Sequence, residues 1–456
     1  MLALAHPPAP APSLLDVVAR APGAAALIVV ALGPKERKAL RLAHSSLLNA
    51  VAEATKKLTV TLQIESATAA AAAGAAARPP TALRWPRLES LTLAGRLWSA
   101  SDLDALGTAR WERLEELCIL CNTQVPVPGE VPPRLEPDGV KARSARVRTL
   151  AAAVARMPAL RRLRLGRFFS SEEGARLRFG GDILPRLEEL SIAAISACAP
   201  ALAEAWRDMP LLRALHFTSE AGDDQLSPVL TWNLAELPRA VAASGVRLEE
   251  LTAAFLDDAG FAALAGAPSF ALRSLRLAHW SIGPAGLRTL AAAPWPLREL
   301  VLADCYTPGE SVSFLDLAHL PGLERLIVKG CYFTDTYESL LCANLPSLTY
   351  LHFDQPESDE FPYGALSHAD LFAGFPNLEV LELVNLRLRS RAARLLASRG
   401  WLRLRELCME ARDGELAKLA RGACRWPALQ RLALYGAKTS LKKVRRWAPR
   451  VTAFQR

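Results

Sequence analysis

The chain has 456 residues, 51% of them hydrophobic and 22% charged, with a formal net charge of +9. That length can bury a large core, and its longest apolar run, Ala24 to Leu32, is about half of the ~20 residues a membrane helix needs. The charge excludes a continuous nucleic-acid groove: residues 1–80 hold eight Lys/Arg to four Asp/Glu, residues 436–456 seven to none, and residues 81–435 hold 40 to 42, whereas such grooves cluster cations along one face.

Residues 1–13 (MLALAHPPAPAPS) are rich in proline and alanine and read as disordered. No basic stretch precedes an apolar core there, so a secretory signal is not expected. Residues 14–64 read as a compact helical segment. Leu14, Leu15, Val17 and Val18 start one apolar face, Gly33-Pro34 breaks the chain, and Leu40, Leu47, Leu48 and Val51 recur near the helical period. Leu58 to Ile64 (LTVTLQI) alternates like a strand. Residues 65–80, mostly alanine and closing on Pro-Pro, read as a linker.

From residue 81 to 435 one unit recurs. Its clearest copies are Leu297–Cys305 (LRELVLADC) and Leu323–Cys331 (LERLIVKGC). First leucines fall at Leu88, Leu114, Leu160, Leu187, Leu212, Leu248, Leu272, Leu297, Leu323, Leu348, Leu378, Leu404 and Leu429, about 13 repeats, mostly 24–27 residues apart. Each L-x-x-L-x-L run predicts a short strand with its leucines on one face. One such strand cannot bury that face alone, so the units are expected to stack into a parallel sheet. The segments between them, such as FAALAGA, AGLRTLAAA and RAARLLAS, read as helices. Many are followed by proline shortly before the next leucine, read here as ending the helix and setting up an extended approach to the strand. Three steps are long. Leu114 to Leu160 holds either a degenerate unit or an inserted loop over 121–145, and the steps from Leu212 and Leu348 carry SEAGDDQLSP and DQPESDEFPYG. Residues 436–456 read as a basic cap, with PRVTAF as a closing half-unit.

Little in the chain points to bond chemistry. Cys118 and Cys121 form C-x-x-C, but three residues apart on a strand they face opposite ways, and no second ligand pair accompanies them. Cys305 and Cys331 read as small side chains tucked under a turn, against the alternative of reactive thiols. None of the seven histidines stands in a nucleophile-and-base pattern, and no phosphate-binding glycine loop is present. No metal or cofactor is expected. The outward strand positions are the candidate binding residues: Arg162 and Arg164 with Glu189 and Ser191, then Arg325, Ile327 and Lys329, Tyr350, His352 and Asp354, and Val380, Glu382 and Val384. Strands lie ~4.8 Å apart, so the second group is expected to form one mixed patch. The same positions also read as an ordinary solvated face.

The repeat array resembles the helix-backed leucine-rich repeat proteins of the ribonuclease-inhibitor type. The resemblance implies an α/β solenoid with a parallel sheet inside, helices outside and a concave protein-binding face. The segment Leu32-Gly33-Pro34-Lys35-Glu36-Arg37-Lys38-Ala39-Leu40-Arg41-Leu42-Ala43, followed by Leu47, Leu48 and Val51, resembles the latter part of an F-box, although the usual Leu-Pro start and the Cys and Trp of the second helix are absent. F-box proteins with such repeats are substrate-recognition subunits of cullin-type ubiquitin ligases. The resemblance implies that Leu14, Leu15, Leu32, Pro34, Leu40 and Leu42 dock the ligase adaptor while the concave face holds a protein substrate, in the cytoplasm or nucleus. The alternative is a scaffold without a ligase role, in a cytoskeletal or ciliary assembly. An enzyme is not expected.

Overall fold

A computed structural model describes residues 57–62, 88–95, 106, 111–121, 149–165, 186–193, 209–218, 246–254, 258–267, 270–281, 283–305, 317, 319–331, 343–354, 373–387, 396, 398–410, 426–435 and 453–455. Outside them lie Leu14, Leu15, Leu32, Pro34, Leu40 and Leu42, the linker over 65–80, and the basic tail apart from its last strand. The backbone divides into two units, Met1–Leu212 and Arg213–Arg456.

In the first unit, β1 (Lys57–Leu62), β2 (Ser90–Gly95), β3 (Glu116–Cys121), β4 (Arg162–Leu165) and β5 (Glu189–Ala193) pair in parallel in chain order. In the second, β6 (Ala214–Thr218), β7 (Leu248–Ala254), β8 (Phe270–Ala278), β9 (Glu299–Ala303), β10 (Arg325–Lys329), β11 (Tyr350–Asp354), β12 (Val380–Arg387), β13 (Glu406–Glu410), β14 (Arg431–Tyr435) and β15 (Ala453–Gln455) do the same. Each unit is thus a solenoid of stacked parallel strands. The LTVTLQI segment contributes β1, and the PRVTAF segment contributes β15.

Alternation explains why these runs are strands. On β10 Leu326 and Val328 are fully buried, while Arg325, Ile327 and Lys329 face the other way. The same holds for Leu351 and Phe353 on β11 and for Leu381 and Leu383 on β12. A fully buried leucine contributes roughly 1.5–3 kcal/mol. Because β2 to β4 and β8 to β14 each present two buried apolar residues to the same side, in-register stacking is the arrangement that buries them all.

The long steps do not widen the sheet. Glu116 of β3 pairs directly with Arg162 of β4, so no strand stands between them in the sheet. The pairing of β6 with β7 and of β11 with β12 has the same consequence.

Proline plays a different part from the one expected. The N–H of Leu160, Leu323, Leu348 and Leu429 donates to the carbonyl of Met157, Leu320, Leu345 and Trp426, at 3.1, 3.1, 3.1 and 3.2 Å. Pro158, Pro321, Pro346 and Pro427 are the first central residues of these turns, where a fixed φ near −65° is what the turn needs. They shape the tight corner into the strand rather than an extended approach. Pro86 and Pro185 lie outside the described residues.

A second backbone device recurs at the start of nine described strands. The carbonyl of Arg298 accepts from both Glu324 N–H and Arg325 N–H, at 2.8 and 2.9 Å, and the carbonyls of Glu89, Glu115, Arg161, Arg213, Glu324, Thr349, Glu379 and Arg405 do likewise. At the other end the chain turns through left-handed residues: His279 (φ 51), Asp304 (φ 50), Gly330 (φ 63) and Asn385 (φ 56). The N–H groups of His279, Asp304 and Gly330 donate to the next strand's Ala303, Lys329 and Asp354 carbonyls at 2.8–2.9 Å. The turn drives the following residue inward, so Trp280, Cys305 and Cys331 are buried. The Cys305 and Cys331 thiols donate to backbone carbonyls, and Cys331 Sγ accepts from Cys305 N–H at 3.4 Å. Burial pushes the Cys331 thiol far up, so it stays neutral and structural.

Behind β7 to β9 run two helices, α1 (Asp258–Ala265) and α2 (Pro284–Ala292). The FAALAGA and AGLRTLAAA segments form them. Phe261 of α1 stacks on Trp280 at 4.7 Å and meets Trp295 edge-on at 5.9 Å. The Asp258 carboxylate accepts from Gly283 N–H at 3.0 Å, placing negative charge at the start of α2.

Leu326→Ala is expected to cost roughly 2–5 kcal/mol through the cavity it leaves, read as a lower urea midpoint for loss of far-UV circular dichroism. Gly330→Ala is expected to cost about 1–2 kcal/mol in the same assay, since its φ is left-handed and a Cβ there would meet the Asp304 carboxylate.

Candidate functional site on the outward sheet face

In the first unit, Arg162 and Arg164 project outward from β4. Both are engaged by carboxylates. Arg164 lies 2.9 Å from Glu189 and 3.8 Å from Glu116, and Arg162 lies 3.9 Å from Glu116. Glu116 also accepts from the Ser90 hydroxyl at 3.1 Å. Ser90, Glu116, Arg162 and Glu189 share one row across β2 to β5. Glu116 was legible as the same repeat position as Arg162, one unit earlier, but sequence reasoning passed over it.

The second unit brings Arg325, Tyr350, His352 and Glu382 together. Tyr350 and His352 stand two apart on β11, and Glu382 is the register partner of His352 on β12. The Tyr350 hydroxyl donates to Glu382 Oε2 at 2.7 Å, and His352 Nδ1 lies 2.7 Å from the same oxygen. An ionised carboxylate only accepts, so the imidazole carries its proton on Nδ1. The Arg325 guanidinium lies over the Tyr350 ring, 3.8 Å from its centroid, a cation–π contact.

The electrostatics follow from these contacts. The hydrogen bond from His352 is the largest cause holding the Glu382 carboxyl below the ordinary glutamate range, with the Tyr350 bond acting in the same direction. Burial, then the bond to Glu382, pushes the Tyr350 phenol up to about 12. At neutral pH the group is therefore a carboxylate held by two donors, with a phenol that keeps its proton. That is a fixed hydrogen-bonding surface rather than a nucleophile with its base.

The other two candidates behave differently. Asp354 accepts from Asn385 Nδ2 at 2.9 Å. Asn385 was missed because it lies where β12 shifts register, between Leu383 and Arg387. Lys329 is exposed and has no carboxylate within 4.0 Å among the described residues. Around the patch, Arg276 meets Glu299 at 2.9 Å and Arg431 meets Glu406 at 3.3 Å. Among the described residues, no cluster of three or more His, Cys, Asp or Glu side chains has a metal-binding arrangement, and no helix is long and apolar enough to cross a membrane.

No protein-family model matches the chain, and no curated protein matches it. Among solved structures it is similar to an internalin from Listeria monocytogenes, at 11% identity and a TM-score of 0.33 over 80% of this chain and 86% of that one. It is also similar to a leucine-rich repeat protein from Leptospira interrogans (13% identity, TM-score 0.37, 90% and 98% covered) and to a protein from Bacteroides fragilis (13%, 0.30, 60% and 66%). The fold described above rests on the strand register of the chain itself.

A carboxyl whose folded pKa is depressed contributes stability above its unfolded pKa and loses it as pH falls through the folded value. Urea midpoints of the native chain and of Glu382→Gln are therefore expected to differ most at neutral pH and to converge below the ordinary glutamate range. An ultraviolet difference titration of the native chain against Tyr350→Phe is expected to place the Tyr350 transition near pH 12, above the value of about 10 for a free phenol.

Proposed function

We propose that this chain is a protein-binding solenoid, not an enzyme, and that it holds its partner on the outward sheet face around Tyr350, His352 and Glu382. The observation that carries the reading is the pairing of Tyr350 and His352 on one Glu382 oxygen. It presents half-buried aromatic groups whose rotamers are already restrained, and such preorganised aromatic surface is what binding energy concentrates on. The apolar residues Val301, Ile327 and Val380 lie among these polar groups on the same face.

The finer reading makes the chain the substrate-recognition subunit of a cullin-type ubiquitin ligase, working in the cytoplasm or nucleus. It is supported by the F-box resemblance of residues 14–51, through Leu14, Leu15, Leu32, Pro34, Leu40 and Leu42. Such a subunit performs no bond chemistry and acts by holding a substrate at high local concentration. Without that coupling, the same face serves a scaffold.

Gel filtration of the full chain with purified cullin adaptor tests the ligase half. Co-elution that Leu40→Asp or Pro34→Ala abolishes is the expected result, and separate elution of the native chain removes the ligase role. For the face, peptides enriched on the full chain from a displayed random dodecapeptide library are expected to lose about tenfold or more in affinity on the Tyr350→Ala/His352→Ala variant. Equal binding to both proteins would place recognition elsewhere.

A further inference from the structure

Among strand residues whose side chains are described, six cations stand on the outward rows: Arg162, Arg164, Arg276, Arg325, Lys329 and Arg431. Four have a carboxylate within 4.0 Å, as described for Glu116, Glu189, Glu299 and Glu406. The two that have none, among the described residues, are both on β10. They flank Ile327, with Arg325 two residues before it and Lys329 two after.

The carboxylates best placed to neutralise this pair are committed elsewhere. Glu299 is the register partner of Arg325 on β9, but its Oε1 is 2.9 Å from Arg276. Asp354 is the register partner of Lys329 on β11, but its Oδ1 takes the Asn385 amide at 2.9 Å. Glu382, the third acid nearby, is occupied by Tyr350 and His352. Each acid on the neighbouring strands thus has its own donor, while neither cation has a carboxylate within 4.0 Å among the described residues. Between them Ile327 is only half-buried, with Val301 beside it on β9.

We infer that this face takes an acidic protein segment in which two carboxylates flank an apolar side chain. This rests on the open-face reading above and specifies its partner. Arg325 and Lys329 are four residues apart on one strand, or roughly 13 Å at ~3.3 Å per residue. An extended segment running along β10 matches that span with acid, apolar and acid residues at alternate positions, since its own side chains repeat at the same spacing. Arg325 already lies over the Tyr350 ring, which restrains the guanidinium for a carboxylate. Lys329 supplies a flexible point charge at the other end. The apolar residue covers Ile327 and Val301. Selectivity comes from placement rather than from a long-range field, because Arg276, Arg325 and Lys329 stand against Glu299, Asp354 and Glu382, three cations to three anions on this part of the face.

The composition of peptides enriched from the displayed dodecapeptide library tests the inference. The expected consensus is an acid, any residue, an aliphatic or aromatic residue, any residue, and an acid. Affinity for the Arg325→Glu/Lys329→Glu variant is expected to fall by about tenfold or more, and that variant is expected to enrich basic peptides in its own selection. Binders that weaken on Tyr350→Ala yet carry no flanking acids overturn the acidic partner and leave the open-face reading standing. Binders indifferent to Tyr350→Ala, or no enrichment at all, overturn both. Far-UV circular dichroism verifies that each variant folds. Should the double reversal not fold, Lys329→Gln replaces it: a weaker salt dependence of acidic-peptide binding than in the native chain supports the inference, and an unchanged one overturns it.

Discussion

A strand carrying two leucines on one side has nowhere to bury them except against a second strand of the same kind, and the structure follows from that constraint. Leu300 and Leu302, Leu326 and Val328, Leu351 and Phe353 succeed one another at matching register positions, all buried. A slip of one residue would turn each pair out to solvent. Register is therefore held by the core, and backbone bonding follows, down to the doubly accepting carbonyl that starts nine of the described strands. The left-handed turn at the far end closes the same accounting, since His279, Asp304 and Gly330 continue the ladder one bond beyond the strand.

With register fixed from inside, the outward side chains fall into rows whose identity is free to vary. Most of what occupies them contributes little to stability. Arg276 with Glu299 and Arg431 with Glu406 are exposed pairs on these rows, as are Arg161 with Glu188, Arg298 with Glu324 and Arg405 with Glu379 just before the strands, and such pairs are worth about 0–1 kcal/mol each. The group on β10 to β12 differs in kind. His352 and Glu382 are more enclosed than those pairs, and three polar groups converge on one carboxylate. A buried group that loses its partner costs more than the partnership contributes, so this arrangement persists as a set. Its members also have fewer rotamers to lose when a partner arrives.

How much of this was legible in the sequence depends on which physical rule governs each feature. The strands were, because L-x-x-L-x-L carries both period and burial, and even the outlying LTVTLQI and PRVTAF segments join as β1 and β15. The row containing Ile327, His352 and Glu382 was as well, since side-chain alternation and strand spacing are generic. The prolines were misread because helix breaking and turn formation use the same residue, and only the bond from Leu323 N–H to Leu320 distinguishes them. Asn385 escaped because a register shift obeys no period. The left-handed residues showed in the sequence only at Gly330, as His279 and Asp304 adopt the same backbone without announcing it.

β10 shows how the two demands stay separate on five residues. Leu326 and Val328 serve the core and tolerate no polarity, while Arg325, Ile327 and Lys329 serve the outward face and take no part in that core. The decisive choices lie on the neighbouring strands. Register sets Glu299 opposite Arg325, and a direct pair would be the simplest arrangement, yet Glu299 reaches diagonally to Arg276. Asp354 likewise turns to Asn385 rather than Lys329. The diversion of Glu299 adds no more stability than a direct pair would, because an exposed ion pair is worth about the same wherever it forms, and Asp354 takes a hydrogen bond from a neutral amide in place of an ion pair. What they change is which charges have no counter-charge among the described residues, and the result is two cations either side of an aliphatic side chain, on a strand whose position the core has already fixed.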